Sequence, residues 1–375
     1  MSHIPADFLM DVLARLRVKS LLHFRSVSKS WRSLIDSPSF IKMHMERSMK
    51  MKMAQSSVEV IHRCNLNKFY LLHLDLSEDP HPIIDPEELP HPFGRRYDHD
   101  TSVSYKGVYK IRFVGSCNGL LCFVDCADRI ILWNLATRKY FELQYSGIVF
   151  PNISIRDYYV NYGFGYDSAT DDYKVIRLIT TFDNSILSER SLVELYSLKS
   201  NSWTRFGDFI GFDFGGDYGI LVGGALHWIR YQRDLEQTIV AFDLTKHEFN
   251  FIPRPELLGN FTLTYLGNYQ GCLCLFCESD EAADSSVVWV MKELGIKKSW
   301  TKVLRVDSTC TYMRSIDHSK SKIATLSLWI KNKETLEWYN KEKKILENIK
   351  IYCEERFIEA VFVHCESLVG TSWCS

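Results

Sequence analysis

Leu132-Trp133-Asn134-Leu135-Ala136-Thr137-Arg138-Lys139-Tyr140 is the stretch that decides the fold of this 375-residue chain. It contains an aromatic residue in an apolar run, then a polar turn, then a second strand with an aromatic residue. Short apolar and aromatic runs separated by turn residues are typical of antiparallel strands. The same arrangement recurs at 195–203 and 241–249. From residue 66 onward we therefore expect an all-β domain.

The aromatic residues of these units recur at a nearly regular spacing. Anchors at 133, 196, 242, 289 and 339 lie 63, 46, 47 and 50 residues apart, and a sixth lies at 69–72. A glycine that opens an apolar run precedes three of them, by 14, 18 and 18 residues, at Gly119, Gly224 and Gly271. A constant offset within a unit of about fifty residues indicates one repeated supersecondary element, and the pattern resembles kelch-type β-propeller blades. The resemblance implies six blades, with residues 357–363 completing the first.

The first 47 residues have a helical pattern instead. Phe8, Leu9, Val12, Leu13 and Leu16 form an apolar stripe that predicts a helix over 5–16. Ser20 can cap a second helix that runs to Ile35, and Pro38 can open a third. Three short helices cannot bury all this apolar surface among themselves, so it must face a partner or the rest of the chain.

The order of residues in this segment resembles the F-box. The motifs that carry the resemblance are Ile4-Pro5, Asp11-Val12-Leu13, Leu16, Val18-Lys19-Ser20-Leu21, Phe24-Arg25 and Val27-Ser28-Lys29-Ser30-Trp31. Arg17 stands where a Pro is usual, and Ser28 stands where plant members usually have a Cys. Neither departure removes an apolar anchor, so we expect partner binding to survive them.

Residues 66–370 also resemble the F-box-associated domain of plant F-box proteins. The carriers are Gly115-Ser116-Cys117-Asn118-Gly119, Trp133-Asn134-Leu135, Gly163-Phe164-Gly165-Tyr166-Asp167, Asp172-Tyr173-Lys174-Val175 and Glu366-Ser367-Leu368-Val369. The expected fold is thus mainly β with an N-terminal α segment. The expected domains are an F-box at 1–47, a linker at 48–65 and a propeller at 66–370.

The two resemblances imply a substrate receptor of a Skp-cullin-F-box ubiquitin ligase. Such a receptor performs no bond chemistry and binds a Skp-family adaptor, a cullin through that adaptor, and a client protein. The client and the residues that bind it are unknown, and immune regulators and pollen self-incompatibility determinants share this architecture. The residues implied for adaptor binding are Ile4, Pro5, Leu9, Leu13, Leu16, Leu21, Phe24, Val27 and Trp31.

Composition and charge favour an ordinary soluble protein over two other classes. No run approaches 18 apolar residues, so we expect no membrane insertion. Eleven cysteines in a long chain without a secretory signal predict free thiols and a cytoplasmic or nuclear location. Residues 1–53 hold ten Lys/Arg and four Asp/Glu, a net of +6, but no base-reading motif accompanies them. We therefore expect a solvated helix face rather than nucleic-acid binding.

Candidate chemistry is sparse. Cys272, Cys274 and Cys277 lie in one apolar run without paired zinc-knuckle spacing, and Cys117 lies in a Gly-Ser-Cys-Asn-Gly turn that hairpin chemistry explains. We therefore expect no metal, no cofactor and no catalytic residue.

The rivals to the ligase interpretation are a propeller enzyme with a central-channel site and a ligase-independent scaffold. The proline-rich stretch 77–92 is expected to be a long rim loop, and it is a candidate for recognition together with 181–190, 209–218 and 278–281.

Overall fold

The computed structural model shows a mainly β chain with a short N-terminal helical segment. No helix in the part of the chain that it describes is long and apolar enough to cross a membrane. The described residues are 6–52, 57–64, 69–75, 87–91, 111–125, 127–145, 147, 158–181, 190–210, 213–231, 237–256, 261–269, 271–279, 285–307, 312–316, 323–329, 335–340, 345–350, 358–364 and 366–370.

The described part of the helical segment contains four helices rather than the three predicted. The second predicted helix is split, because Ser28 has an extended backbone and its Oγ accepts a hydrogen bond from Trp31 N at 3.1 Å. A serine in this conformation caps a new helix instead of continuing the previous one. The helices are Ala6–Leu13 (α1), Val18–Phe24 (α2), Lys29–Ile35 (α3) and Pro38–Lys52 (α4).

The start of α2 also differs from the prediction. Ser20, the expected cap, lies inside the helix, and the cap position belongs to Arg17, whose side chain makes no capping hydrogen bond. The free N–H of Val18 donates instead to the Glu366 carboxylate at 3.2 Å. The sequence could not indicate this cap because its acceptor lies 348 residues away.

Residues 48–65, expected to be a linker, are largely regular structure. Helix α4 continues to Lys52, and Ser57–Cys64 forms a strand that pairs with strands on both sides. The short stretch 77–92 likewise contains a strand at Glu87–Leu89, at the edge of its sheet, where neighbouring prolines are tolerated. The expected loop at 209–218 is mostly the inner strand of a blade.

The described strands form six four-stranded antiparallel units, which confirms the predicted six-bladed propeller. Each blade is numbered by its order in the chain, and its strands run from the inside outward. Blade 1 consists of Ile358–His364 (β24), Ser57–Cys64 (β1), Phe69–Asp75 (β2) and Glu87–Leu89 (β3). Blade 2 consists of Arg112–Cys117 (β4), Leu120–Val124 (β5), Ile130–Asn134 (β6) and Lys139–Glu142 (β7), and blade 3 of Tyr158–Asp167 (β8), Asp172–Thr181 (β9), Arg190–Ser197 (β10) and Ser202–Ile210 (β11). Blade 4 consists of Asp213–Val222 (β12), Ala225–Tyr231 (β13), Gln237–Asp243 (β14) and Phe249–Ile252 (β15), and blade 5 of Phe261–Tyr269 (β16), Cys272–Ser279 (β17), Ser285–Met291 (β18) and Trp300–Asp307 (β19). Blade 6 consists of Tyr312–Ile316 (β20), Ile323–Trp329 (β21), Thr335–Asn340 (β22) and Ile345–Lys350 (β23).

The aromatic anchors occupy the same place in every blade. All six lie in the third strand, and those of blades 1 to 4 are buried between blades. The glycines that precede them lie in the tight turn between the first and second strands, where Asn118 and Gly119 have φ values of 53° and 80°. Two consecutive residues in this region are typical of the hairpin turn that matches strand twist. The period in the sequence therefore corresponds to one blade.

Blades 3 and 4 are joined by backbone pairing, in addition to the packing of blade faces that a propeller requires. Their inner strands pair in parallel at Tyr218 with Tyr162 and at Gly219 with Gly163. A Cβ added to Gly219 would lie 2.4 Å from the ring of buried Trp228. Glycine at this position therefore leaves room for the Trp228 ring, whose Nε1 donates to the Tyr162 carbonyl of blade 3 at 3.3 Å.

A buried ion pair joins the same two blades. Lys174 Nζ on β9 contacts Asp167 Oδ2 at 2.7 Å and donates to the Leu244 carbonyl at 2.7 Å. Thr245 Oγ1 donates to the other Asp167 oxygen at 2.7 Å. Burial opposes ionisation of Asp167, but the hydrogen bonds from Lys174, Thr170 and Thr245 outweigh it and hold its pKa well below the usual range. Asp167 is therefore a charged, fully paired link between blades.

We predict that Gly219→Ala destabilises the propeller by about 1–3 kcal/mol, because the new methyl group overlaps the Trp228 ring. Gly115→Ala on the inner strand of blade 2 is the matched comparison and should cost less, because its new methyl group would lie 3.3 Å from Phe164 Cβ, a milder approach. Thermal unfolding measures both variants. Equal melting temperatures for Gly219→Ala and the native protein would contradict the packing described here.

We predict that Lys174→Met costs about 3–5 kcal/mol of stability, because it leaves the buried Asp167 carboxylate without its cation. The matched control is Lys199→Met, which removes an exposed lysine near the same blade junction and should change stability by less than about 0.5 kcal/mol. Chemical denaturation of the two variants is the measurement. A similar loss in both would show that the buried charge pair has no special role.

Candidate functional site

The helical segment packs on the propeller instead of standing apart from it. Leu132 of β6, Tyr173 of β9 and Leu368 near the end of the described chain belong to the same core as the inward faces of the helices. Part of the apolar surface that the sequence left open to a partner is therefore covered by the chain itself. The buried helical residues of this core are Leu13, Ala14, Val18, Leu21, Ile35, Phe40, Ile41 and Met45.

The structure divides the predicted adaptor-binding residues into groups. Leu13 and Leu21 are 2 % and 0 % exposed and lie in the chain's own core, whereas Val27 is 60 % exposed. The half-buried members pack on that core and include Phe24 and Trp31, whose ring centroids are 5.5 Å apart and which link α2 to α3. The half-buried members are Leu9, Leu16, Phe24 and Trp31. Ile4 and Pro5 lie outside the described residues.

Two further residues are exposed although the sequence interpretation did not select them for binding. Phe8 and Val12 on α1 are 62 % and 41 % exposed. They are four residues apart and so lie on one side of the helix, whereas Leu9 and Leu13 lie on the inward side. A signal for this was present in the sequence, because the stripe on α1 is wider than one buried face needs. Helix α1 therefore has an inner apolar side and an outer one.

Ion pairs fix the helix that carries this outer apolar side. Asp11 on α1 contacts Arg15 at 2.6 Å and Arg47 on α4 at 2.7 Å, and hydrogen bonds from Arg47 and Arg15 lower the pKa of Asp11. Arg25 contacts Asp36 at 2.7 Å on the side of α3. Pairs this exposed add little stability, but they hold α1 against α4. Phe8 and Val12 are thus presented on a braced helix.

The cysteines with suspected chemistry are structural where the structure describes them. Cys274 and Cys277 are buried in β17 and Cys272 is partly buried, and all three are free thiols. Burial raises the pKa of the Cys117 thiol to about 12, so it is protonated at neutral pH and a poor nucleophile. Within the described residues, no group of three or more His, Cys, Asp or Glu side chains could hold a metal ion.

The rival enzyme interpretation needs histidines at equivalent positions of several blades. His227 lies in the second strand of blade 4, and its burial lowers its pKa to about 4. It is therefore neutral and packed in the core, with its ring close to the Ile220 carbonyl at 3.2 Å. His247 lies in a turn of the same blade and contacts the Lys174 ion pair instead. These two residues do not form a shared site.

A cleft between blades 2 and 3 is too small for a metabolite. Its volume is about 60 Å³, whereas pockets for small molecules usually measure about 300–1,000 Å³. Arg177, Trp203 and Tyr145 contribute to its lining. Arg177 is already held by a buried ion pair with Glu194 at 2.5 Å. Of the candidate recognition stretches, 182–189 and 280–281 lie outside the described residues, whereas Glu278 and Ser279 end β17.

Comparisons with known proteins agree with this architecture. Residues 1–43 match the F-box domain family, and residues 59–371 match the F-box associated beta propeller domain family. The chain is 31 % identical to the F-box protein CPR1 of Arabidopsis thaliana, covering 98 % of this chain and 90 % of the relative. It is 30 % identical to the F-box/kelch-repeat protein At3g23880 of the same plant, covering 84 % and 82 % respectively. The chain therefore belongs to the family of F-box proteins that carry an F-box associated β-propeller domain.

Proposed function

We propose that this chain is the substrate-recognition subunit of a Skp-cullin-F-box ubiquitin ligase. The observation that carries the proposal is the exposed pair Phe8 and Val12, on an F-box helix whose other side is buried in the propeller core. Exposed apolar side chains held on a fixed helix are typical of anchors that a partner buries. The partner is a Skp-family adaptor, and a cullin joins through it.

The predicted adaptor-binding residues take two roles in this proposal. Leu16, Phe24, Val27 and Trp31 contact the adaptor together with Ile4 and Pro5, and Phe8 and Val12 add to that surface. Leu9 supports it from the inward side of α1. Leu13 and Leu21 support the contact from inside, because both are buried in the core beneath it. Truncating these two residues would therefore act on folding before it acted on binding.

The propeller holds the client protein near the ubiquitin-charged enzyme. The chain makes and breaks no bond, and its contribution is a high effective concentration of client lysines near the activated ubiquitin. Ubiquitination then marks the client for proteasomal degradation. The expected location is the cytoplasm, the nucleus or both, and a pollen self-incompatibility role lies within the same class.

The main alternative is a ligase-independent scaffold that binds proteins through the propeller. Adaptor binding separates the two, because the scaffold would use the helical segment only for self-association. Deleting residues 1–47 is a poor test, since it also removes Leu13, Val18 and Leu21 from the shared core. Substitution of exposed residues leaves that core intact.

We predict that the double substitution Phe8→Ala and Val12→Ala weakens binding of a purified Skp-family adaptor by about 2 kcal/mol or more, a roughly thirtyfold rise in Kd. The loss follows from removing two exposed anchors without touching the core. Titration calorimetry with the full chain measures the Kd, and unchanged melting temperature confirms folding.

The matched control is the double substitution Phe251→Ala and Val303→Ala, which removes the same side chains from the propeller at 64 % and 47 % exposure. It should leave the Kd unchanged. Equal affinity in both double variants would remove Phe8 and Val12 from the adaptor surface. No binding by the native chain would favour the scaffold.

A further inference from the structure

The described end of the chain is a buried segment that links the two parts of the molecule. Residues 366–370 follow β24, and Ser367, Leu368 and Val369 are buried. We call Glu366-Ser367-Leu368-Val369 the tail clasp. Its residues have no place in the mechanism described so far, yet they contact both the helical segment and blade 2.

The clasp is fixed to blade 2 by buried hydrogen bonds. Asn134 at the end of β6 donates through Nδ2 to the carbonyls of Ser367 at 3.0 Å and Val369 at 2.5 Å. Ser367 Oγ donates to the Asn118 carbonyl at 2.7 Å. The Oδ1 of Asn134 accepts a hydrogen bond from Thr137 N at 3.1 Å, so both the nitrogen and the oxygen of this buried amide have partners. Such a satisfied polar network specifies one position for the segment.

The other side of the clasp is fixed to the helices. The Glu366 carboxylate accepts from Val18 N at 3.2 Å and contacts Arg17 Nη2 at 3.0 Å. Leu368 and Val369 share the core of Leu13 and Val18. Glu366 thus supplies the capping acceptor that the Arg17 side chain does not give to α2. The Arg17–Glu366 ion pair therefore involves a residue that departs from the F-box pattern, in which this position is usually a proline.

We propose that Glu366 and Asn134 are positioning residues: through the tail clasp they hold the F-box helices at one orientation on blade 2 and so set the geometry of ubiquitin transfer to the client. The part of the proposal that concerns ubiquitin transfer rests on the proposed function. Transfer that depends on proximity is sensitive to orientation, since a receptor that pivots spreads its client over a larger volume and lowers the effective concentration.

The test is the distance between two spin labels in the full chain, measured with and without adaptor. Lys42 on α4 and Lys246 on blade 4 are exposed and can each be replaced by a spin-labelled noncanonical residue, which leaves the native cysteines in place. The native protein should give one narrow distance peak. Glu366→Ala should broaden that peak, because α2 loses its cap acceptor and its link to the tail while the shared apolar core remains.

Two further variants make the result specific. Glu366→Gln keeps an acceptor for Val18 N, so it should keep most of the narrow peak, and a broad distribution in this variant would contradict the role given to the cap acceptor. Glu87→Ala removes an exposed carboxylate that pairs with Arg138 and should leave the peak narrow. Mere loss of stability lowers the melting temperature without broadening the distance in folded protein.

A narrow peak in folded Glu366→Ala, equal to that of Glu87→Ala, would overturn the proposal. The adaptor Kd is measured in parallel and should be unchanged in Glu366→Gln. If the native chain does not bind adaptor, the proposed ligase function fails, while the label distances still report on the clasp. If the distances broaden but ubiquitin transfer is unaffected in a reconstituted ligase, the positioning role is overturned.

Discussion

Pairing between the last strand and the first strand of the propeller is the constraint on which the rest of the molecule depends. β1 pairs with β2 on one side and with β24 on the other, with Val60 opposite Val363. A blade has two faces that must be covered and edges that must be paired, and only a closed ring satisfies every blade. Closure also brings the chain end to blade 2, where the tail clasp meets the helical segment. Val18 of the helical segment and Glu366 near the end of the described residues are therefore neighbours in the fold.

The joint between blades 3 and 4 shows how the ring is held in the middle of the chain. The inner strands approach at Gly163 and Gly219, and the Lys174–Asp167 pair of blade 3 is hydrogen-bonded to blade 4 at the same junction. Both features come from the motifs that resemble the F-box-associated domain, so at least part of that pattern reflects packing between blades. A buried charge pair of this kind is costly to break, which makes it sensitive to the loss of either partner.

The helical segment behaves as an extension of the propeller core. Its inward side chains bury with blade residues, and its outward side retains Phe8, Val12 and Val27. A partner that buries these side chains would therefore bind to a surface supported by the propeller. Under the proposed function, this arrangement would give a defined relation between the end that joins the ligase and the end that holds the client.

The sequence by itself determined the class of fold, the blade period and the F-box pattern, because all three depend on local spacing of apolar and turn residues. It also predicted that residues 357–363 complete blade 1, where the structure has β24. Only the tertiary structure decided which apolar residues face inward, so that Leu13 and Leu21 are core while Phe8 and Val12 are exposed. It also decided that Ser28 divides a helix, that 57–64 is a strand and that Glu366 caps α2. These features depend on neighbours distant in sequence, which local patterns do not contain.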